Sequence, residues 1–176
     1  MINPKFARNV GAAVRVASCY GVKQVWFSGD RLQIDPTGKA RLPREERMKG
    51  YADVNVYQTD LIFDQFDSDV VPVAVELKAG SEQLQTFEHP EKALYVFGPE
   101  DGSLERRELI HCHRRVVIPT RFCLNLATAV ATLMWDRILK RYQNGDEEIP
   151  SMEELLKNDR ACLRELVDEN DEATVG

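Results

Sequence analysis

A parallel-sheet α/β domain is what this chain predicts, on three observations. Short runs rich in Val, Tyr and Phe recur along it, bounded by turn residues, as buried strands require. Segments with apolar residues at helical spacing fall between those runs. No internal repeat or low-complexity block interrupts the alternation, which is the order a βαβ arrangement needs.

The elements follow in order. A first helix is expected from Asn9, with Val10, Ala13, Val14 and Ala17 on one face and Gly21 as its natural terminator. Strands are expected at residues 24–27, 54–57, 70–75, 94–97 and 116–118. Residues 60–66 and 104–110 read as short helices, the second capped by Ser103. The longest helix, residues 124–142, stops before Asn144-Gly145. Ser151 and Glu154 form a capping-box pair that opens a last amphipathic helix from Met152 to about Val167, with Leu155, Leu156, Leu163 and Leu166 free to pack. The expected division is a catalytic-size domain over residues 1–145 and an acidic helical extension over 146–176.

Length and composition limit the class. A chain of 176 residues with 43% hydrophobic content can bury a core as one domain. The longest apolar stretch, residues 124–135, is broken by Asn125, Thr128 and Thr132, so no membrane span is expected, and no basic-then-apolar leader opens the sequence. Residence in the cytoplasm is the expectation. Cys19, Cys112, Cys123 and Cys162 lack paired CxxC spacing, which argues against a disulfide framework or a zinc knuckle. His111-Cys112-His113 lacks further ligands at defined spacing, so no metal is expected.

The net charge of -6 is unevenly spread. Residues 1–49 carry ten Lys/Arg against four Asp/Glu, residues 50–145 ten against fourteen, and residues 146–176 three against eleven. A basic first third suits phosphate contact, because a nucleic-acid face needs local positive charge. Lys39, Arg41, Arg44, Arg47 and Lys49 are candidate RNA-backbone contacts, with a solvated charged face as the plain alternative. Trp26, Tyr51 and Tyr57 could stack on bases or be buried beside strands.

Three stretches carry chemistry. Asn9 and Arg15 stand six residues apart at the start of the first helix, where free N–H groups and an Arg fork suit a phosphate; an N-cap and a solvated Arg are the plain reading. Gly98-Pro99-Glu100-Asp101-Gly102 follows a strand directly, at the sheet edge where α/β folds bind ligands, although Gly-Pro and Asp-Gly are also ordinary turn signals. Ile118-Pro119 closes the next strand, and Cys123-Leu124-Asn125 opens a helix dotted with Ala127, Ala129 and Ala131. GxGxxG and GxxxxGK[ST] are absent from the sequence.

In order and spacing, NVGAAVRVASCYG (residues 9–21), FGPEDGSL (97–104) and IPTRFCLNLATAVATLMWD (118–136) resemble the three motifs of the SpoU/TrmH branch of the SPOUT methyltransferases. The resemblance covers most of residues 3–142. It implies a SPOUT-type knotted parallel sheet flanked by helices, with a C-terminal trefoil knot, and a homodimer paired through helices near the cofactor. The implied activity is transfer of a methyl group from S-adenosylmethionine to a ribose 2′-hydroxyl of RNA, tRNA being favoured over rRNA because no appended RNA-binding domain is visible. By position, Asn9, Arg15, Glu100 and Asn125 match the catalytic residues, with Arg15 also contacting RNA phosphate and serving a neighbouring subunit's site. Val75, Gly98, Pro99, Gly102, Ile118 and Leu124 fall where the cofactor is held.

Two departures stand out. Cys123 replaces the family's usual Ser, a weaker hydrogen-bond donor, and the loop from Ile118 to Asn125 is shorter than usual. Only Met1 and Ile2 precede Asn3-Pro4, where the family has a first strand, so a truncated N-terminus is one expectation. A non-catalytic RNA-binding relative and a SPOUT enzyme acting on a base nitrogen are the alternative readings; the Asn9, Arg15, Glu100 and Asn125 set argues against the first and the third motif against the second.

Overall fold

The computed structural model describes residues 1–32 and 54–157. Its elements are α1 (Ala7–Cys19), β1 (Gln24–Phe27), β2 (Asn55–Gln58), β3 (Val71–Val75), β4 (Glu82–Gln83), β5 (Ala93–Phe97), α2 (Arg106–Leu109), β6 (Arg114–Val117), α3 (Leu126–Asn144) and α4 (Met152–Leu156). Two compact units result, the first ending at Ile138 and the second beginning at Leu139, so the division falls inside α3.

Every strand pairing in the first unit is parallel. β1 pairs with β2, and a second sheet runs β4-β6-β3-β5, with Val73 opposite both Tyr95 and Arg114. Met1 and Ile2 bridge the two sheets. Met1 donates its amine to the Trp26 carbonyl at 2.8 Å and accepts from Ser28 N–H at 3.1 Å, while Ile2 N–H donates to the Phe97 carbonyl at 2.9 Å. These residues thus sit in a strand position between β1 and β5, and burial pushes the Met1 amine down to about 5.

Apolar side chains cover both sheet faces, as a parallel sheet requires. Val73 and Phe97 join a cluster with Val10, Val14, Leu126 and Leu133, so α1 and α3 cover one face. Their neighbours Ala74 and Val96 point the other way, into a second cluster with Ile2, Ile62, Leu104 and Cys112. The period-two alternation along β3 and β5 therefore assigns the two cores.

Several local expectations need correction. Asn9 is not a cap: α1 starts at Ala7 after Phe6, and Asn9 is buried in its first turn. Residues 60–66 hold only a 3₁₀ turn, Ile62–Gln65. α2 is one turn with a Glu105/Glu108 capping box; it starts at Arg106, so Ser103 stands two residues before the N-cap position and does not cap it. The two-residue β4 offers no periodicity to read in the sequence. At α4 the Ser151/Glu154 capping box forms as expected, and residues 158–167, expected to continue the helix, lie outside the described residues. Among those residues no helix is long and apolar enough to cross a membrane.

Candidate active site

The carboxyl ends of β3, β5 and β6 and the first turns of α1 and α3 enclose a cleft of about 700 Å³. Val75, Gly98, Pro99, Gly102, Ile118 and Leu124 all line it, as do Asn9, Glu100 and Asn125. Three sequence stretches thus converge because parallel strands end on one side of the sheet.

Gly98 shows why the second stretch needs glycine. A Cβ there would lie 3.2 Å from the Leu104 backbone nitrogen and 3.5 Å from Glu76 Oε2. Glu76 fastens this region: its Oε2 accepts from Leu104 N–H at 2.9 Å and its Oε1 from Leu77 N–H at 3.1 Å. Asp101 takes Arg31 at 2.7 Å and Lys5 at 3.2 Å. Those hydrogen bonds, Arg31's first, hold its carboxyl down to about 2.

The polar groups form a chain with one direction. Glu100 Oε2 accepts from Lys5 N–H and Oε1 from Asn9 Nδ2, each at 2.7 Å. Burial opposes ionisation of Glu100, but these bonds outweigh it and hold the carboxyl below its usual range. A carboxylate only accepts, so the Asn9 NH₂ must face Glu100 and its oxygen must face away. That oxygen accepts from Asn125 Nδ2 at 3.2 Å, and Asn125 Oδ1 accepts from Ala127 N–H at 2.9 Å, capping α3. Glu100 therefore orients both amides. One N–H of each is left over for a ligand.

Arg15 is not brought to this cleft. It is exposed on α1 and absent from the lining, with no ion pair among the described residues. Six residues along a helix advance about 9 Å and turn about 240° from Asn9, which carries Arg15 to another face. Lys39, Arg41, Arg44 and Arg47 lie outside the described residues. Trp26 and Tyr57 stack on each other at 4.3 Å, away from the lining. Cys112 is buried against the Glu108 carbonyl at 3.4 Å, and His111 stacks on Phe63. Among the described residues no group of three or more His, Cys, Asp or Glu could hold a metal ion.

Phe6, Arg8, Glu76, Leu77, Arg121 and Phe122 also line the cleft and were not singled out from the sequence. Adjacency was the available signal: each lies within three residues of Asn9, Val75 or Leu124. Nothing in residue type alone separates them from solvated neighbours.

A cleft at the carboxyl edge of a parallel sheet, lined by strand-end backbone and a glycine loop, is the place where α/β folds bind their ligands. The SpoU rRNA Methylase family matches residues 1–135, and the chain belongs to that family. It is 27% identical over 192 aligned positions to the tRNA (cytidine-2′-O-)-methyltransferase TrmJ of Methanocaldococcus jannaschii, covering 97% of this chain and 81% of that one. Among solved structures it resembles the TrmH/SpoU tRNA modifying enzyme of A. aeolicus, with a TM-score of 0.64 and 20% identity over 89% of this chain and 81% of that chain. It also resembles the SpoU methyltransferase AviRb of Streptomyces viridochromogenes in complex with AdoMet, with a TM-score of 0.66 and 18% identity over 81% of this chain and 59% of that chain.

Proposed function

We propose that this chain transfers a methyl group from S-adenosylmethionine to a ribose 2′-hydroxyl of RNA, with tRNA as the favoured substrate over rRNA. The observation that carries the reading is the convergence of all three motif stretches on one cleft. Family membership and the tRNA 2′-O-methyltransferase TrmJ support it further.

The cleft fits the cofactor by size, since sites for small molecules fall at about 300–1,000 Å³. Val75, Gly98, Pro99, Gly102, Ile118 and Leu124 would hold it. When bound, it supplies an electrophilic methyl group on a sulfonium. The chain's own part is positioning and charge stabilisation. Asn9 and Asn125, held in one orientation by Glu100, donate their spare N–H groups to the ribose. Arg15, with its planar charged fork, acts as a phosphate clamp and stabiliser of the developing alkoxide.

Arg15 faces away from its own cleft, which supports a homodimer in which it serves the partner subunit's site. The reading includes the trefoil knot at the cofactor loops, a cytoplasmic location, RNA contacts by Lys39, Arg41, Arg44 and Arg47, and an acidic extension over residues 146–176. Nucleoside mass spectrometry of tRNA incubated with protein and S-adenosylmethionine tests the activity. A new 2′-O-methyl nucleoside is expected; base methylation alone, or no product from folded protein that binds the cofactor, would overturn it. Sedimentation should give about twice the 20.1 kDa chain mass.

A further inference from the structure

The cleft mouth carries two ring-and-cation pairs from distant parts of the chain. At the start of α1, the Arg8 guanidinium lies 4.8 Å from the Phe6 ring centroid. In the loop between β6 and α3, the Arg121 guanidinium lies 5.3 Å from that of Phe122. Phe122 is 76% exposed and Phe6 38%, although both line the cleft. A phenylalanine ring that open to water loses the burial that usually explains its presence.

Charge in the cleft is equally uneven. The carboxylates of Glu76 and Glu100 are occupied by backbone and amide N–H groups, and Asp101 is taken by Lys5 and Arg31. Arg8 and Arg121 have no ion pair among the described residues. An anionic ligand bearing flat rings matches this surface. Nucleotides of a single strand are such a ligand: bases stack on exposed aromatic rings and phosphates meet free Arg forks, whereas paired bases keep their faces hidden within the helix.

We infer that Phe6 with Arg8 and Phe122 with Arg121 form a clamp for unpaired RNA, stacking bases beside the target nucleotide. This inference rests on the RNA methyltransferase reading above and adds to it the residues that hold the RNA beside the target nucleotide.

The test is fluorescence anisotropy with labelled oligouridine and with its duplex with oligoadenosine, using full-length wild type, Phe122→Ala, Phe122→Trp and Arg121→Ala. Wild type should prefer the single strand. Phe122→Ala should weaken single-strand binding about tenfold and Phe122→Trp should retain it, because stacking needs a flat ring. Arg121→Ala should flatten the logarithmic salt dependence by about 0.7, the share of one phosphate on a single strand. Unchanged single-strand affinity in Phe122→Ala overturns the clamp. So does conversion of a dimer to a monomer by that substitution with RNA affinity per chain unaltered, which would assign the ring to a second copy. Loss of methyl transfer by wild type itself would sink the parent reading, while the anisotropy comparison still decides the clamp.

Discussion

The two edges of the larger sheet carry polar networks built from similar residues and finished differently. At the amino edge, Arg137 of α3 donates to the carbonyls of Pro90 at 2.7 Å and Glu91 at 2.6 Å, and to Tyr95 Oη at 2.9 Å. His89 lies 2.8 Å from Asp136 through Nε2 and 2.6 Å from Tyr95 Oη through Nδ1. Asp136 only accepts, so Nε2 carries the proton, and in neutral imidazole Nδ1 accepts from Tyr95. Burial, partly offset by Arg137, pushes the Tyr95 hydroxyl up. Donors there end on acceptors of the fold itself. At the carboxyl edge, the chain from Glu100 through Asn9 to Asn125 ends with spare N–H groups, and Arg8 and Arg121 keep their charge. The contrast separates a network closed within the fold from one that keeps unpaired donors at the proposed site.

The widest break in that contrast is expected at Arg15. Arg15→Ala should lower single-turnover methyl transfer by about 100-fold or more, with cofactor affinity unchanged by calorimetry. Arg15→Lys should recover little, because lysine lacks the fork. Near-normal transfer by Arg15→Ala would remove the catalytic assignment. Arg137→Ala should do the opposite, costing about 2 kcal/mol of stability because the part-buried Pro90 carbonyl and Tyr95 Oη lose a charged donor. Its transfer rate per folded chain should stay at wild type. Denaturant midpoints read beside rates decide this: a lost rate with an unshifted midpoint would put the amino edge in the chemistry. Gly98→Ala should have a smaller effect than either, weakening S-adenosylmethionine binding about tenfold, equivalent to about 1.4 kcal/mol, since its Cβ would press on the Leu104 backbone and shift the loop that lines the cleft. Equal cofactor affinity in calorimetry would show that this loop does not hold the cofactor.

Much of this was legible in the sequence. β1 was read at its observed limits, and β3, β5 and β6 within two residues, because buried parallel strands are apolar runs whatever surrounds them. The motif stretches were placed on strand ends and helix starts, where they lie. What was misread depends on distant partners. A cap is the plain local reading of Asn9, yet one N–H of its amide goes to Glu100, 91 positions away, a partner that no local pattern shows. β4 exists only through its pairing with β6. Phe6 and Phe122 have the residue type of core positions, and their exposure follows from the packing of the elements around them.

The smallest effect expected is the pH response of the acid that orients the amides. Glu100 has its carboxyl lowered from the usual 4.5, its bonds from Lys5, Asn9 and nearby backbone outweighing the opposing burial. A depressed carboxyl binds fewer protons folded than unfolded, so its stabilisation is complete above about pH 4.5 and is lost as pH falls through the folded value. Glu100→Gln should therefore be less stable than wild type at pH 7, because one arm of the new amide must place N–H against N–H. The gap should narrow as pH falls below 4.5, where wild type also loses its carboxylate. Urea midpoints of both proteins from pH 7 to pH 3 measure the difference directly. A gap that stays constant across that range would mean that Glu100 is not held ionised by these bonds, and the fixed orientation of Asn9 and Asn125 would lose its cause.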